Sequence, residues 1–251
     1  MSSVLTLLLA GPLQSWGASA RFARRTTEQA PTKSGVLGLL AAAQGRDRTE
    51  DITDLAELRF GVRVDQPGTR VRDFQTAHHP DSGASMPVSE RFYLADAVFV
   101  AALEGDSTLI DTLHTALLTP VYLPFLGRRS CPPAQHLPLN IHPGSDLQQA
   151  LEAEPWKAAD WYRTRQRHRD ALVELEAHLE TEPRHATGDT LRDQPISFDP
   201  RNRRYELRAR HSTVLRVPNP DAVLDPVRRS ARPRGREAIP AHDPTAGLDA
   251  I

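Results

Sequence analysis

Val4-Leu5-Thr6-Leu7-Leu8-Leu9-Ala10 and, twenty residues later, Pro31-Thr32-Lys33-Ser34-Gly35-Val36-Leu37-Gly38-Leu39-Leu40-Ala41-Ala42-Ala43 decide how the fold begins. The first run is almost continuously apolar over a strand's length, which marks a central strand covered on both sides. The second is rich in Leu and Ala and is followed by Gly45 in the usual stop position, so a helix is predicted over 34–44. The loop between them starts Ala10-Gly11-Pro12-Leu13-Gln14-Ser15-Trp16-Gly17. A strand, a glycine-containing loop and a helix opening on hydroxyls and Lys33 can offer backbone N–H groups and one positive charge to a phosphate. The G-x-x-x-x-G-K-[ST] order of a nucleotide P-loop is missing, and the same residues also describe an ordinary capped helix.

Working outward, strand and helix alternate. Asp51 to Glu57 reads as a short helix. Arg59 to Asp65 sets Phe60, Val62 and Val64 against Arg59, Arg63 and Asp65, the pattern of a half-buried strand. Leu94 to Leu103 is a second apolar strand. Asp106 to Leu118 is a helix with Leu109, Ile110, Leu113 and Leu117 on one face, capped by Asp106 or Ser107. Val121 to Phe125 supplies a short last strand. The order β-α-β-β-α-β predicts an α+β, ferredoxin-like core over residues 1–142, of the kind RNA-recognition domains use.

Between the two middle strands the chain makes an excursion that such a core does not need. It leaves as Arg70-Val71-Arg72-Asp73-Phe74-Gln75-Thr76, passes His78-His79-Pro80-Asp81-Ser82-Gly83 and returns as Val88-Ser89-Glu90-Arg91-Phe92-Tyr93. The arms predict a hairpin at about 69–93 with a tip too polar for a core. Phe74 with Arg70, Arg72 and Arg91 has the chemistry of a wedge with phosphate clamps; alternatively, Phe74 packs the hairpin on the sheet. His78, His79 and Asp81 lack a fourth ligand at metal-site spacing and read as a solvated loop.

Leu126-Gly127-Arg128-Arg129-Ser130-Cys131-Pro132-Pro133 follows the predicted last strand. Gly127 allows a turn at positive φ, the prolines stiffen the exit, and Arg128 and Arg129 are set out as anion ligands. Residues 143–190 read as a helical insertion, with a long helix from Asp160 to Glu182 that carries Trp161, His168, Leu172, Leu175 and Leu179 on one side. Pro195 to Phe198, the turn Asp199-Pro200-Arg201-Asn202-Arg203 and Tyr205 to Val217 predict a closing hairpin over 191–217. From Pro218 on, Pro, Arg, Ala and Asp without apolar periodicity predict a flexible tail.

The 251 residues are 39% hydrophobic, enough for a core, and the formal net charge of −1 argues against a uniformly basic nucleic-acid binder. Distribution matters more than the sum. Of 31 basic residues 29 are arginine, a bias that a GC-rich genome also produces. Their placement is more telling: Arg21, Arg24 and Arg25 precede the first helix, Arg70 and Arg72 open the hairpin, Arg128 and Arg129 share one loop, and Arg201, Arg203 and Arg204 crowd a turn. The single Cys131 permits no intrachain disulfide, which fits a reducing cytoplasm, and the N-terminal apolar run is too short to span a membrane.

The blocks Val4 to Ala10, Ala10 to Gly17, Pro31 to Leu40 and Phe125 to Pro133 resemble, in order, the CasD family of subunits of the type I-E CRISPR surveillance complex Cascade, within the RAMP superfamily. The similarity runs to about Pro218 and is poorest over 143–190. It implies an RNA-binding role on the 5′ handle of the mature CRISPR RNA, a hairpin that serves as a thumb and displaces a nucleotide, and the subunits CasC and CasA as partners. Target DNA would be met only through the complex. On this reading the RNA-binding residues are Arg24, Arg25, Lys33, Ser34, Arg70, Arg72, Phe74, Arg128 and Arg129, with Trp16 as a stacking or packing support, and no cofactor is needed.

No paired carboxylates, G-x-S-x-G elbow or His/Cys ligand array is visible. Two other readings stay open. One is a metal-independent ribonuclease cutting the CRISPR repeat, as type I-C relatives do, with Tyr93 or Tyr122, His114 or His136, and Lys33 as its groups. The other is a protein–protein scaffold for which RNA contact is incidental.

Overall fold

Leu5, Leu7 and Leu9 point to one side of the first strand, and Val4, Thr6 and Leu8 to the other, and in the computed structural model every one of them is buried. The structure describes residues 1–18, 24–166, 170–181 and 189–222. Along the chain run β1 (Ser2–Ala10), β2 (Leu13–Gln14), β3 (Arg24–Arg25), α1 (Lys33–Ala43), α2 (Thr53–Ala56), β4 (Arg59–Gln66), β5 (Thr69–Gln75), β6 (Ser89–Ala95), β7 (Val98–Asp106), α3 (Ser107–Leu118) and β8 (Pro138–Pro143). They are followed by α4 (Leu147–Ala153), α5 (Asp160–Gln166), β9 (Leu172–Glu180), β10 (Thr190–Ser197) and β11 (Arg204–Pro218).

The main sheet has the order β10-β11-β9-β4-β7-β1-β8. Every pairing in it is antiparallel. The helices α1 and α3 cover one face, where Leu37, Leu40, Ile110 and Leu113 pack on Leu5, Leu7, Phe60, Phe99 and Leu103. The other face carries α4 and Trp156 against Val4, Leu8, Val100 and Ala102. Burial on both faces explains why β1 and β7 read as apolar runs: over residues 4–10 and 98–103 no side of either strand meets water. Each fully buried leucine contributes about 1.5–3 kcal/mol by leaving water. Among the described residues no helix is long and apolar enough to cross a membrane.

The structure departs from the sequence reading in five places. The predicted strand at 94–103 is broken, because Asp96 takes φ 56° and the chain passes from β6 in a second, smaller sheet to β7 in the main one. The last core strand is β8, whereas Val121 and Leu123 lie exposed in a turn beside the end of α1. In its described residues the segment read as a long helix forms the two turns of α5 and then the strand β9, so part of the expected helical insertion completes the main sheet. In Leu172-Val173-Glu174-Leu175-Glu176-Ala177-His178-Leu179-Glu180 the buried positions alternate, with Val173, Leu175, Ala177 and Leu179 inside; Arg167, His168, Arg169 and Glu182 lie outside the described residues. β4 is buried on both faces rather than one. Its Arg63 and Asp65 are fully enclosed and paired at 2.7 and 2.8 Å. Arg63 also donates to the carbonyls of Leu151, Glu154 and Pro155, which ties α4 and its exit to the sheet. Finally, β11 runs as one strand to Pro218, and residues 223–251, most of the predicted tail, lie outside the described part.

Candidate nucleic-acid interface

The small sheet is organised around β6. β5 pairs with it antiparallel along its whole length, while β2 and β3 occupy its other edge. Beyond β5 and β6 the hairpin continues to an exposed tip that turns at Gly83, φ 67°. The hairpin predicted from the sequence is therefore present, its strands extending from Thr69 to Ala95.

Register assigns its side chains to faces. Arg70, Arg72 and Phe74 stand opposite Leu94, Phe92 and Glu90, and Arg24 stands beside Glu90, so these residues share one face of the ribbon. There the guanidinium of Arg70 lies 4.5 Å and that of Arg24 5.5 Å from the centre of the Phe92 ring, and Arg72 lies 4.9 Å from the Phe74 ring. The stacking holds flat, poorly hydrated cations side by side without using up their N–H groups. Among the described residues Glu90 is their one acidic neighbour, at 3.9 Å from both Arg24 Nε and Arg72 Nη1. The side chains of Arg24 and Arg72 remain 70% and 55% exposed. Phe74 is 55% exposed, so it does not pack the hairpin on the sheet.

Arg25 pairs with Arg91 and falls on the opposite face, with Tyr93. Arg128 sits at the ribbon's edge, its guanidinium 4.8 Å from the centre of the Tyr93 ring. It donates to the carbonyl of Phe92 at 3.2 Å and to that of Arg25 at 2.9 Å. Arg128 thus fastens β3 to β6 and fixes where Arg24 and Arg25 stand. Arg129 is exposed, with no hydrogen bond or ion pair to another described residue. Around β6 these arginines are distributed over a face, an edge and the reverse side rather than along one surface. The turn with Arg201, Arg203 and Arg204 is not part of it. β10 and the residue after it run beside α1, with Asp193 at Lys33 and Phe198 near Gly38, which carries that turn toward the helix's other end. Arg21 lies outside the described residues.

The sequence blocks quoted above prove to be neighbours. Gly127 has φ 82°, and a Cβ there would stand 1.8 Å from the Ser15 carbonyl oxygen, so only glycine fits. Ser15 N–H donates to Leu126 O at 3.1 Å, and Trp16, fully buried, lies where a Cβ on Gly35 would meet its ring at 2.8 Å. Trp16 Nε1 donates to Gln14 Oε1 at 3.1 Å. Trp16 is a packing support, and no face of its ring is open for stacking. Burial raises the pKa of the Cys131 thiol in the same turn.

Lys33 requires a correction. It is 1% exposed, and its ammonium is ion-paired with Glu180 at 3.1 Å instead of facing solvent. Burial lowers its pKa, opposed by Glu180. The anion expected at the start of α1 is supplied from within: Asp193 Oδ2 accepts the Lys33 N–H at 2.8 Å, while Arg208 holds both Asp193 oxygens at 2.9 and 2.8 Å. Thr32 caps the helix by accepting from Gly35 N at 3.3 Å. Ser34 sits half-buried in this first turn. Of the groups considered for ribonuclease chemistry, Lys33 and Tyr122 stand apart. Tyr122 N–H bonds Ala42 O at the end of α1, about 13 Å along the helix from Lys33, and Tyr93 is buried beneath Arg128. Phe92 and Glu90, which sequence reasoning passed over, are the centre of the arginine face. The alternation in Glu90-Arg91-Phe92-Tyr93, set against Arg70-Val71-Arg72-Asp73-Phe74, is the signal that finds them.

A basic, aromatic-backed ribbon on an α+β sheet protein defines a candidate RNA-binding chain, and comparison with known proteins gives it a family. The chain belongs to the Cas5 family of CRISPR-associated proteins, whose model matches residues 4–218. It is 39% identical over 171 residues to the CRISPR system Cascade subunit CasD of Escherichia coli (strain K12), covering 60% of this chain and 76% of that one. A chain in a structure titled "CRISPR RNA-guided surveillance complex" is similar at TM-score 0.70 and 35% identity, covering 86% of this chain and 91% of its own length. Another, titled "Crystal structure of Cas protein", is similar at TM-score 0.65 and 37% identity over 87% and 99% of the two chains.

Proposed function

We propose that this chain is the crRNA-binding subunit of a type I-E Cascade complex and grips the 5′ handle of the mature CRISPR RNA without cutting it. The observation that carries the reading is the face on which Arg24, Arg70 and Arg72 lie over Phe92 and Phe74 with most of their charge open to solvent. Arginine presented in this way engages phosphate by paired N–H groups, and exposed Phe74 offers a ring on which a displaced base can stack. Arg25, Arg128 and Arg129 continue the basic surface around the ribbon's edge. Ser34 and Lys33 support it from behind: the helix they open carries Gly35 against Trp16, and Trp16 leads to the loop that Gly127 locks.

The order β8-β1-β7-β4, with α1 and α3 as crossovers on one face, supports a ferredoxin-like, RRM-type core of the RAMP kind. The hairpin is its thumb, and β9, β10 and β11 extend the sheet. Partners on this reading are the crRNA, CasC and CasA, with target DNA reached through the complex, in the cytoplasm. Val121, Tyr122 and Leu123, exposed beside the end of α1, provide apolar surface for a protein neighbour. Lys33, the lysine of the Tyr, His and Lys set considered for a repeat-cutting ribonuclease, is enclosed by Glu180, which favours the non-catalytic reading.

The test is a binding titration of the purified chain against RNA bearing the CRISPR handle and RNA of equal length with the handle scrambled, alongside incubation with full repeat RNA in EDTA. Tighter binding of the handle RNA and an intact repeat are the expected results. Equal binding of the two RNAs would favour a scaffold, and cleavage products would overturn the non-catalytic reading.

A further inference from the structure

Glu90 is the one acid among the described residues of the arginine face, and its distances are unusual for a structural ion pair. It stands 3.9 Å from Arg24 and 3.9 Å from Arg72, at the limit of ion pairing and beyond hydrogen-bond length, and its side chain is 36% exposed. The two enclosed arginine–aspartate pairs, Arg63–Asp65 and Arg208–Asp193, close to 2.7–2.9 Å. An acid that bridges two cations loosely, in water, adds little to stability. The aromatic rings, not Glu90, fix the three guanidinium groups, since Arg70 and Arg24 rest on Phe92 and Arg72 on Phe74. What Glu90 does is occupy the position between Arg24 and Arg72 with a carboxylate, which matches a phosphate oxygen in charge and in the N–H groups it accepts.

We propose that Glu90 marks the phosphate seat of this face and acts as a built-in competitor for it, so that an RNA phosphate binds between Arg24 and Arg72 by displacing the carboxylate. This inference rests on the RNA-binding reading above and adds to it the position of one phosphodiester and the residue that opposes it. The competitor has a use. It lowers affinity for stray polyanions while the rest of the surface is unengaged, and it yields when neighbouring contacts of the correct RNA hold a phosphate in place.

Glu90→Gln keeps size and removes the charge. With the full chain and handle RNA at about 50 mM salt, E90Q should bind about two- to fivefold tighter than the wild type, and the gain should shrink toward nothing at high salt as screening removes the electrostatic difference. Glu104→Gln removes the same charge where Glu104 pairs with Arg59 at 2.7 Å, at the opposite end of β7 from the ribbon, and controls for net charge. E104Q should leave affinity within the error of the wild type. Binding by E90Q that is unchanged, weaker, matched by E104Q, or tighter to the same extent at all salt concentrations would overturn the inference. A wild-type chain that binds no RNA would instead overturn the RNA-binding reading and this inference with it, so the two failures are told apart by the wild-type curve.

Discussion

Arginine serves two opposite purposes in this protein, and β4 and the β5–β6 ribbon show them side by side. In β4, Arg63 is fully enclosed, forks onto Asp65 and spends its remaining N–H groups on three carbonyls from the end of α4 and the residues after it. On the ribbon, Arg24, Arg70 and Arg72 lean on aromatic rings and keep their N–H groups facing water. A buried cation is stable only when an acid is buried with it, so the interior arginines come with acids: Arg63 with Asp65, Arg208 with Asp193. A surface meant to bind an anion must do the reverse and leave its cations short of acids. Net charge near zero conceals this division, because the interior pairs cancel while the ribbon face does not.

The comparison is broken most strongly from the inside. Arg63→Ala leaves Asp65 buried without its partner and frees the segment after α4, so it should cost about 3–5 kcal/mol in a urea titration. Replacing Arg63 and Asp65 together with Met and Leu should cost clearly less, because no buried charge is then stranded. Equal losses for the two variants would show that packing, not pairing, governs the site.

Arg128 lies between the two classes. Arg128→Ala should lower stability by about 1–2 kcal/mol, since a charged donor to two backbone carbonyls is lost from the ribbon's edge, and should weaken RNA binding at the same time by loosening β3. Arg128→Lys keeps the charge but cannot reach both carbonyls, so it should rescue neither property. Full recovery of RNA binding by the lysine variant would show that Arg128 acts as a point charge on RNA and not as a positioning residue.

The sequence was most legible where one element buries one pattern. β1, α1, β7 and α3 follow from apolar runs and caps that sit within a few residues of each other, and the hairpin follows from alternation around a polar tip. β9 was misread because Leu, Glu and Ala favour a helix and the spacing of Leu172, Leu175 and Leu179 also fits one. Pairing with β4 and β11 decides for the strand, and that lies in other parts of the chain. β8 was missed because a sheet-edge segment can carry Pro138, Asn140 and His142, which dilute the apolar signal. The arginines of β5 could be found from alternation alone. Lys33 could not be placed, since Glu180 and Asp193, which enclose it, lie about 150 residues away along the chain.

The central claim is that the Arg24, Arg70 and Arg72 face is the RNA contact and not a feature of stability. Its most direct test is the salt dependence of handle-RNA binding for the wild type and for the variant with all three arginines replaced by Ala, combined with urea titrations of both. The slope of log affinity against log salt should become shallower by about 2, as expected for the loss of three phosphate contacts on single-stranded RNA, with unfolding midpoints almost the same. An unchanged slope in a variant that remains folded would contradict the account.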